Sequence, residues 1–364
     1  MHVASCRRHP RPGPGFDVYW SFAAERQQVY RRRLDGLTGE ALTDDPVLTS
    51  YRFTNAYRAS DRVSQYLISN VIYDTQRDWD DVFVRVLVFK VFNRIDTWEY
   101  LQSCVDEVGV ATLLSGQLDE ALMALPPKRP IYNAAYIMPP PRSGLGAKFR
   151  RHLALLRQMV RDKAHYRIEA SPSMAAAFAV LASYESIGPF LGHQFMIDLN
   201  YTAHLSFSED EFVMAGPGAL RGIRKCFSDP GDYSPSDIIR WVAEQQHEAF
   251  TERNLNWNDL WGRPLKLIDT QNLFCEVDKY TRAARPDLSA LAPGSRIKQR
   301  YAPAAAPLTA WFPPKWDINA SIPSRYLAPA GSAGRPIPSE VLDDDEGLGV
   351  EVGFNGATVG SAQV

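Results

Sequence analysis

The chain has 364 residues, 45% of them hydrophobic, enough to bury one large core or two smaller ones. Its net charge of −2 excludes a histone-like polycation; the 6 Lys/Arg and 8 Asp/Glu after Arg285 leave 34 of each sign before it, so nucleic-acid contact has to come from local basic patches. No run reaches the ~18–20 apolar residues of a membrane span, and the basic start MHVASCRRHPRPGPG has no apolar stretch after it. A soluble, cytoplasmic protein with no membrane partner is expected.

Residues 1–15 read as a disordered basic arm. From Phe16 to Leu34, Phe16, Tyr19, Trp20, Ala23, Val29 and Tyr30 keep helical spacing, and Arg31, Arg32 and Arg33 splay as a solvated end. Over Tyr51–Ile72 the spacing predicts a helix capped by Thr54. On it Asn55, Arg58 and Arg62 share a face, with Asp61 beside Arg58. That arrangement can fix a guanidinium against a phosphate or base edge, or be an ordinary surface pair. DDVFVRVLVFKVFN (Asp80 to Asn93) is β-rich in propensity, but its length and leading acids predict a buried helix.

Helical spacing continues over Thr97–Gly109 and Leu118–Leu125, and a proline-rich surface loop follows. Phe149–Ile168 reads as one basic amphipathic helix (Arg150, Arg151, Arg157, Arg161, Lys163), either a positive face or a solvated one. Ser171-Pro172 is the expected start of the next helix. Further amphipathic helices are expected from Ser236 or Asp237, and over Arg263–Arg282. Beyond Arg285 the composition turns to Pro, Ala, Gly and Ser, a flexible tail over 286–364. The fold class is therefore all-α, with one helical domain over 16–285.

Between Ile187 and Phe227 lie the residues with chemical promise. Gln194 and Asp198 are i, i+4 on an otherwise apolar helix, so they project together. A carboxylate there is either a proton-transfer group in a cleft or a structural bridge between helices. AGPGALRGIRK offers Gly216 and Gly218 for close backbone approach, then a helix start with Arg221 and Lys225, a candidate anion site or simply a turn. Asp269, Asn272, Glu276 and Lys279 form a polar stripe on the last helix. Together with Asn55, Arg58 and Asp61 these groups outline a three-sided polar pocket. The histidines are scattered without HxxxH or HExxH spacing, so no metal is expected, and no cofactor is implied. Four well-separated cysteines without CxxC read as free, mostly buried thiols. Neither GxSxG nor the GxxxxGK[ST] phosphate loop occurs in the chain, which counts against a kinase of the common P-loop type.

YRFTNAYRASDRV, IGPFLGHQFMIDLNY, EDEFVMAGPGALRGIRKCF and IDTQNLFCEVDKYTR occur in this order, with the lead-in TDDPVL. They resemble the helical domain of the 5-hydroxymethyl-deoxyuridine (5-hmdU) DNA kinase family over about Phe16 to Arg285. That family is similar, distantly, to helix-hairpin-helix DNA glycosylases, and is grouped with the putrescinyl/glutamyl-thymine pyrophosphorylase-like enzymes of thymine hypermodification. The resemblance implies an all-α domain that grips DNA, or takes a nucleotide, and handles an extruded modified pyrimidine. Ile187-Gly188-Pro189 would stand for the hairpin, and GPGALRGIRK for an element touching phosphate or base.

On that reading the protein is a transferase acting on 5-hydroxymethyluracil, or its phosphorylated form, in DNA. Asp198 and Glu276 are the acid/base candidates. Arg58, Lys225, Lys279 and Arg282 would hold phosphate, and Asn55, Asp61 and Gln194 a base edge. The alternatives are a glycosylase excising a modified thymine and a non-catalytic DNA- or nucleotide-binding module.

Overall fold

Prolines that fix φ where no amide hydrogen is needed open several helices of this chain: Pro14, Pro46, Pro189, Pro217 and Pro235. The computed structural model describes residues 7–126, 129–133, 138–143, 146–294, 296–302 and 308–327. Cys6, the acidic LDDDEG run and the Gly/Val-rich chain end lie outside them. The helices are α1 (Pro14–Leu34), α2 (Pro46–Ser50), α3 (Arg62–Tyr66), α4 (Trp79–Phe92), α5 (Ile95–Cys104), α6 (Val110–Ser115), α7 (Gln117–Ala124) and α8 (Lys148–Arg161). After them come α9 (Ala164–Glu169), α10 (Met174–Ala182), α11 (Pro189–Leu199), α12 (Pro217–Cys226), α13 (Pro235–Glu244), α14 (Gln246–Glu252), α15 (Leu267–Ala284) and α16 (Pro286–Ser289). The all-α class holds. Among the described residues the strands are two short ones, β1 (Arg11–Pro12) and β2 (Phe227–Asp229), paired antiparallel.

The axis of the fold is α15, buried along almost its whole length. On it lies α12, brought close by small residues. A Cβ on Gly222 would sit 2.0 Å from the Phe274 carbonyl oxygen, and one on Gly218 2.8 Å from Cys275 Sγ. Across both packs α1, whose Tyr19 and Trp20 are fully buried; Tyr19 meets Phe274 at 4.6 Å between ring centroids. The β-branched α4 is a helix, as its length predicts: buried on nearly every side, it gains from tertiary packing what its propensity lacks.

Four expectations need correction. The segment 51–57 is not helical and Thr54 is no cap: its N–H donates to Glu276 Oε2 at 3.0 Å, a partner 222 residues away that holds the backbone extended. A single 3-10 turn follows at Arg58–Ser60, and α-helix appears only at α3, which runs into a π-helical turn, Leu67–Ile72. The basic helix over Phe149–Ile168 breaks at Lys163, which is left-handed (φ 52°), and the next cap is Ser173, not Ser171. The basic face of α8 is also partly occupied, Arg157 binding Asp119 and the Leu113 carbonyl, Arg151 the Pro141 carbonyl.

Within the described residues, both flanks of the helical body are tied down further than composition suggests. From Arg7 the arm is zipped to β2, with Arg7 paired to Asp237 and Arg8 to Asp232. Past α16 the chain returns across the body as a strap that buries Ala310, Phe312, Ile322 and Tyr326. Lys315 on this strap donates to the carbonyls of Asn200, Thr202 and Leu205 beyond the C-terminal end of α11. Burial pushes its amine down to about 8. Cys226 and Cys275 are buried free thiols and Cys104 an exposed one. Among the described residues no helix is long and apolar enough to cross a membrane.

Candidate functional site

The polar segments marked in the sequence do meet, but they meet in layers. The inner layer is sealed. Arg58, 1% exposed, is gripped by Asp198 Oδ1 at 2.6 Å, Gln194 Oε1 at 3.2 Å and the Tyr201 hydroxyl at 2.9 Å. Its partner is therefore Asp198 on α11 and not the neighbouring Asp61. Asp198 also binds Lys90 Nζ at 2.8 Å. Burial pushes the Asp198 carboxyl up, but Arg58 and Lys90 outweigh it and hold the group below the usual carboxylate range. A carboxylate clamped by two cations and shut off from solvent is a poor proton acceptor. Its place in the fold is that of a structural bridge between α4, α11 and the 54–60 segment.

Behind this layer α15 fixes the backbone of the same segment. Asp269 accepts from the Arg58 N–H at 2.8 Å and the Lys266 N–H at 3.0 Å; burial raises its carboxyl to about 6. Glu276 accepts from Thr54 as above, and Lys279 lies 3.6 Å from Glu276 while donating to the Arg52 carbonyl. The polar stripe on α15 is thus a set of anchors for an extended strand-like stretch.

The glycine-proline turn has a different use from the one its sequence suggests. A Cβ on Gly216 would strike the Phe190 ring at 2.8 Å, and Gly218 faces Cys275, so both glycines serve helix contact. Arg221 Nε, Lys225 Nζ and Arg282 Nη2 converge on Asp278 at 2.9, 2.7 and 3.0 Å. In place of a phosphate, the cations of this helix hold a fully buried aspartate that sequence reasoning passes over.

The outer layer is open. A pocket with about 660 Å³ of empty space, solvent at its mouth included, lies between the 52–64 segment, the end of α1, the end of α4, α15 and the strap. Five cations line it: Arg33, Arg52, Arg62, Lys90 and Lys279. Asp61 is the carboxylate on its wall, where Oδ1 accepts from the Asn55 N–H at 2.8 Å. Asn55 also lines it, with its amide used by Arg26 and the Ser60 carbonyl. Of the predicted site residues, Asn55, Asp61 and Lys279 reach the pocket; Gly216 and Gly218 lie at helix contacts, and the others in the sealed layers or around Asp278. Arg33, expected at a solvated helix end, turns inward to this wall. The signal for it is its position three residues after Tyr30, which is buried.

Such a wall favours anions. The end of α4 brings roughly half a negative charge, which five cations outweigh even with Asp61, Glu276 and Asp198 counted against them. Burial pushes the Lys90 amine down to about 8, with Asp198 pulling it back up and Arg58 adding to the depression. Burial also lowers Lys279, against the pull of Glu276. Lys90 is charged below pH ~8 and loses its proton above it, so anion affinity is expected to fall as pH rises through this value. For one proton the fall is at most about tenfold per pH unit. Titrating the binding of a phosphodiester oligonucleotide from about pH 6.5 to about 9.5 checks it; a flat profile removes Lys90 from anion contact. Among the described residues no cluster of His, Cys, Asp or Glu could hold a metal ion.

Comparison with known proteins gives this geometry a family. Residues 14–290 match the model of the 5-hmdU DNA kinase helical domain. A relative from Bacillus phage SP10, named 5-hmdU DNA kinase, is 23% identical over 298 residues, covering 75% of this chain and 46% of that protein. The chain thus spans about half the length of the curated relative it matches. No solved structure matches. Because the match takes in the helical body from α1 to α16, the chain belongs to the 5-hmdU DNA kinase helical-domain family.

Proposed function

We propose that this chain is a DNA-base-modifying transferase, or the substrate-holding domain of one, acting on 5-hydroxymethyluracil in DNA. The observation that carries the reading is the basic pocket: five cations, polar side chains and one carboxylate around a cleft open to solvent. The cations would take backbone phosphate, and an extruded base carrying the 5-hydroxymethyl group would enter with it. The phage relative is named a 5-hmdU DNA kinase, and on this reading the hydroxymethyl oxygen is the acceptor for the transferred group. A general base has to reach that hydroxyl. Asp61 lines the pocket whereas Asp198 and Glu276 do not, so Asp61 takes the role expected of those two. Asn55 and Lys279 stay in the proposed binding set.

Two measurements test this. Arg33→Met and Arg52→Met should each weaken binding to single-stranded DNA containing 5-hydroxymethyluracil. The slope of log affinity against log salt should drop by about 0.7 for each phosphate that is no longer neutralised. Incubation of that DNA with protein and candidate donors, read by mass spectrometry, should give a mass-shifted nucleoside that Asp61→Asn does not form. Abasic sites would instead make the protein a glycosylase. Binding without product under any nucleoside triphosphate donor would make it a holder of DNA. Unchanged salt slopes in both arginine variants would sink the pocket assignment.

A further inference from the structure

Among the pocket's side chains, two amides have hydrogen-bonding capacity that the fold does not use. Asn93 is 3% exposed and lines the pocket, yet its side chain makes no hydrogen bond among the described residues. Its main chain is what closes α4: the N–H donates to the Phe89 carbonyl at 2.7 Å in the left-handed conformation, φ 49°. Gln299, half-buried on the same pocket, is held through its carbonyl by the Arg52 N–H at 3.4 Å, and its amide likewise has no partner among the described residues. The remaining polar wall is dominated by cations, which donate and never accept.

We propose that Asn93 and Gln299 are the base-reading residues of this pocket, recognising the imide edge of a uracil-type pyrimidine whose phosphate the cations hold. The inference rests on the pocket reading above. A uracil ring presents an N3–H donor between two carbonyl acceptors, and a side-chain amide offers the matching acceptor and donor together. Neither amide is engaged by a side-chain hydrogen bond of the fold, so a ligand in the pocket can take both without breaking one. Lys90 in the last turn of α4 and Asn93 at its C-cap both line the pocket, which ties the phosphate-holding and base-reading functions to one helix end. Gln299 lies beyond the residues 14–290 that match the family domain, so half of the reader comes from the returning strap.

Asparagine also suits a left-handed backbone for reasons unrelated to any ligand. The variant Asn93→Gly separates the two roles, because glycine keeps the backbone conformation and removes only the amide. Gln299→Met keeps the length of the side chain. Affinities would be measured by fluorescence anisotropy for three single-stranded oligonucleotides carrying 5-hydroxymethyluracil, its N3-methyl derivative or an abasic site. The free 5-hydroxymethyl-deoxyuridine monophosphate serves as competitor, which separates a DNA-bound source of the base from a free nucleotide.

The wild-type protein should prefer the 5-hydroxymethyluracil strand by roughly five- to hundredfold. Each variant should lose most of that preference while keeping its affinity for the abasic strand. Equal wild-type affinity for all three strands, or a preference that both variants retain, overturns the base-reading role and leaves the phosphate pocket standing. No binding of any strand overturns the pocket reading and this inference with it.

Discussion

Replacing Asp278 by alanine should destabilise the fold by about 3–5 kcal/mol, the usual consequence of removing one partner from a buried charge cluster. Arg221 and Arg282, whose side chains are 22% and 12% exposed, can swing toward water. Lys225 cannot. Its side chain is fully buried, and without the carboxylate it retains only the Asp278 carbonyl at 3.1 Å and Thr281 Oγ1 at 3.2 Å. The double variant Asp278→Ala/Lys225→Met should recover much of the loss, because it removes the stranded charge as well as its partner. Urea unfolding of the two variants beside the wild type decides it. A loss below about 1 kcal/mol for the single variant would show that Lys225 finds other solvation, contrary to its burial.

The second large effect concerns Asp198. If it were a general base, Asp198→Asn would abolish turnover and leave the folded protein intact. Its position between Arg58 and Lys90 predicts the reverse order of events: a loss of about 3–5 kcal/mol in stability, with any loss of activity following from that. The two cations then differ. Arg58 cannot shed its proton, whereas Lys90, already depressed to about 8, can. In the variant, the folded state gives up the Lys90 proton at a lower pH than the unfolded chain does. Stability of Asp198→Asn should therefore rise relative to wild type as pH increases through that window. Chemical denaturation at about pH 6 and about pH 9 would show it. A variant as stable as the wild type at both values would make Asp198 a catalytic candidate again.

How much of this is written locally in the chain differs by element. The helical spacing of apolar residues in α1, α13 and α15 and the proline starts are local signals, so the helical class follows from them. Even α4, rich in valine and phenylalanine, is legible from its length. The stretch 51–60 is not. Its helical spacing of apolar residues is real, but Thr54 and Arg58 give their amide hydrogens to Glu276 and Asp269, and no window of sequence contains both partners. The site follows the same division. Residue types and their convergence can be read, because Arg58, Gln194 and Asp198 do meet. Which layer faces solvent cannot, since that depends on how α4 brings Lys90 up from behind and how the strap closes the far side. The glycines before Arg221 show a related ambiguity. Close approach by a ligand and close approach by a helix require the same small residues, and for Gly218 the helix is α15.

The pairing of β1 with β2 has a consequence for biosynthesis. The first described residues find their partners at 227–229, and Tyr19 finds Phe274 later still. At about 5–20 residues per second, a ribosome needs on the order of 10–50 s after making α1 to deliver the surfaces that cover it. During that interval Tyr19, Trp20 and Phe22 have no mature core to enter, and a chain released before α15 would keep them uncovered. A nascent chain stalled just short of α15 is thus the form of this protein in greatest need of a chaperone.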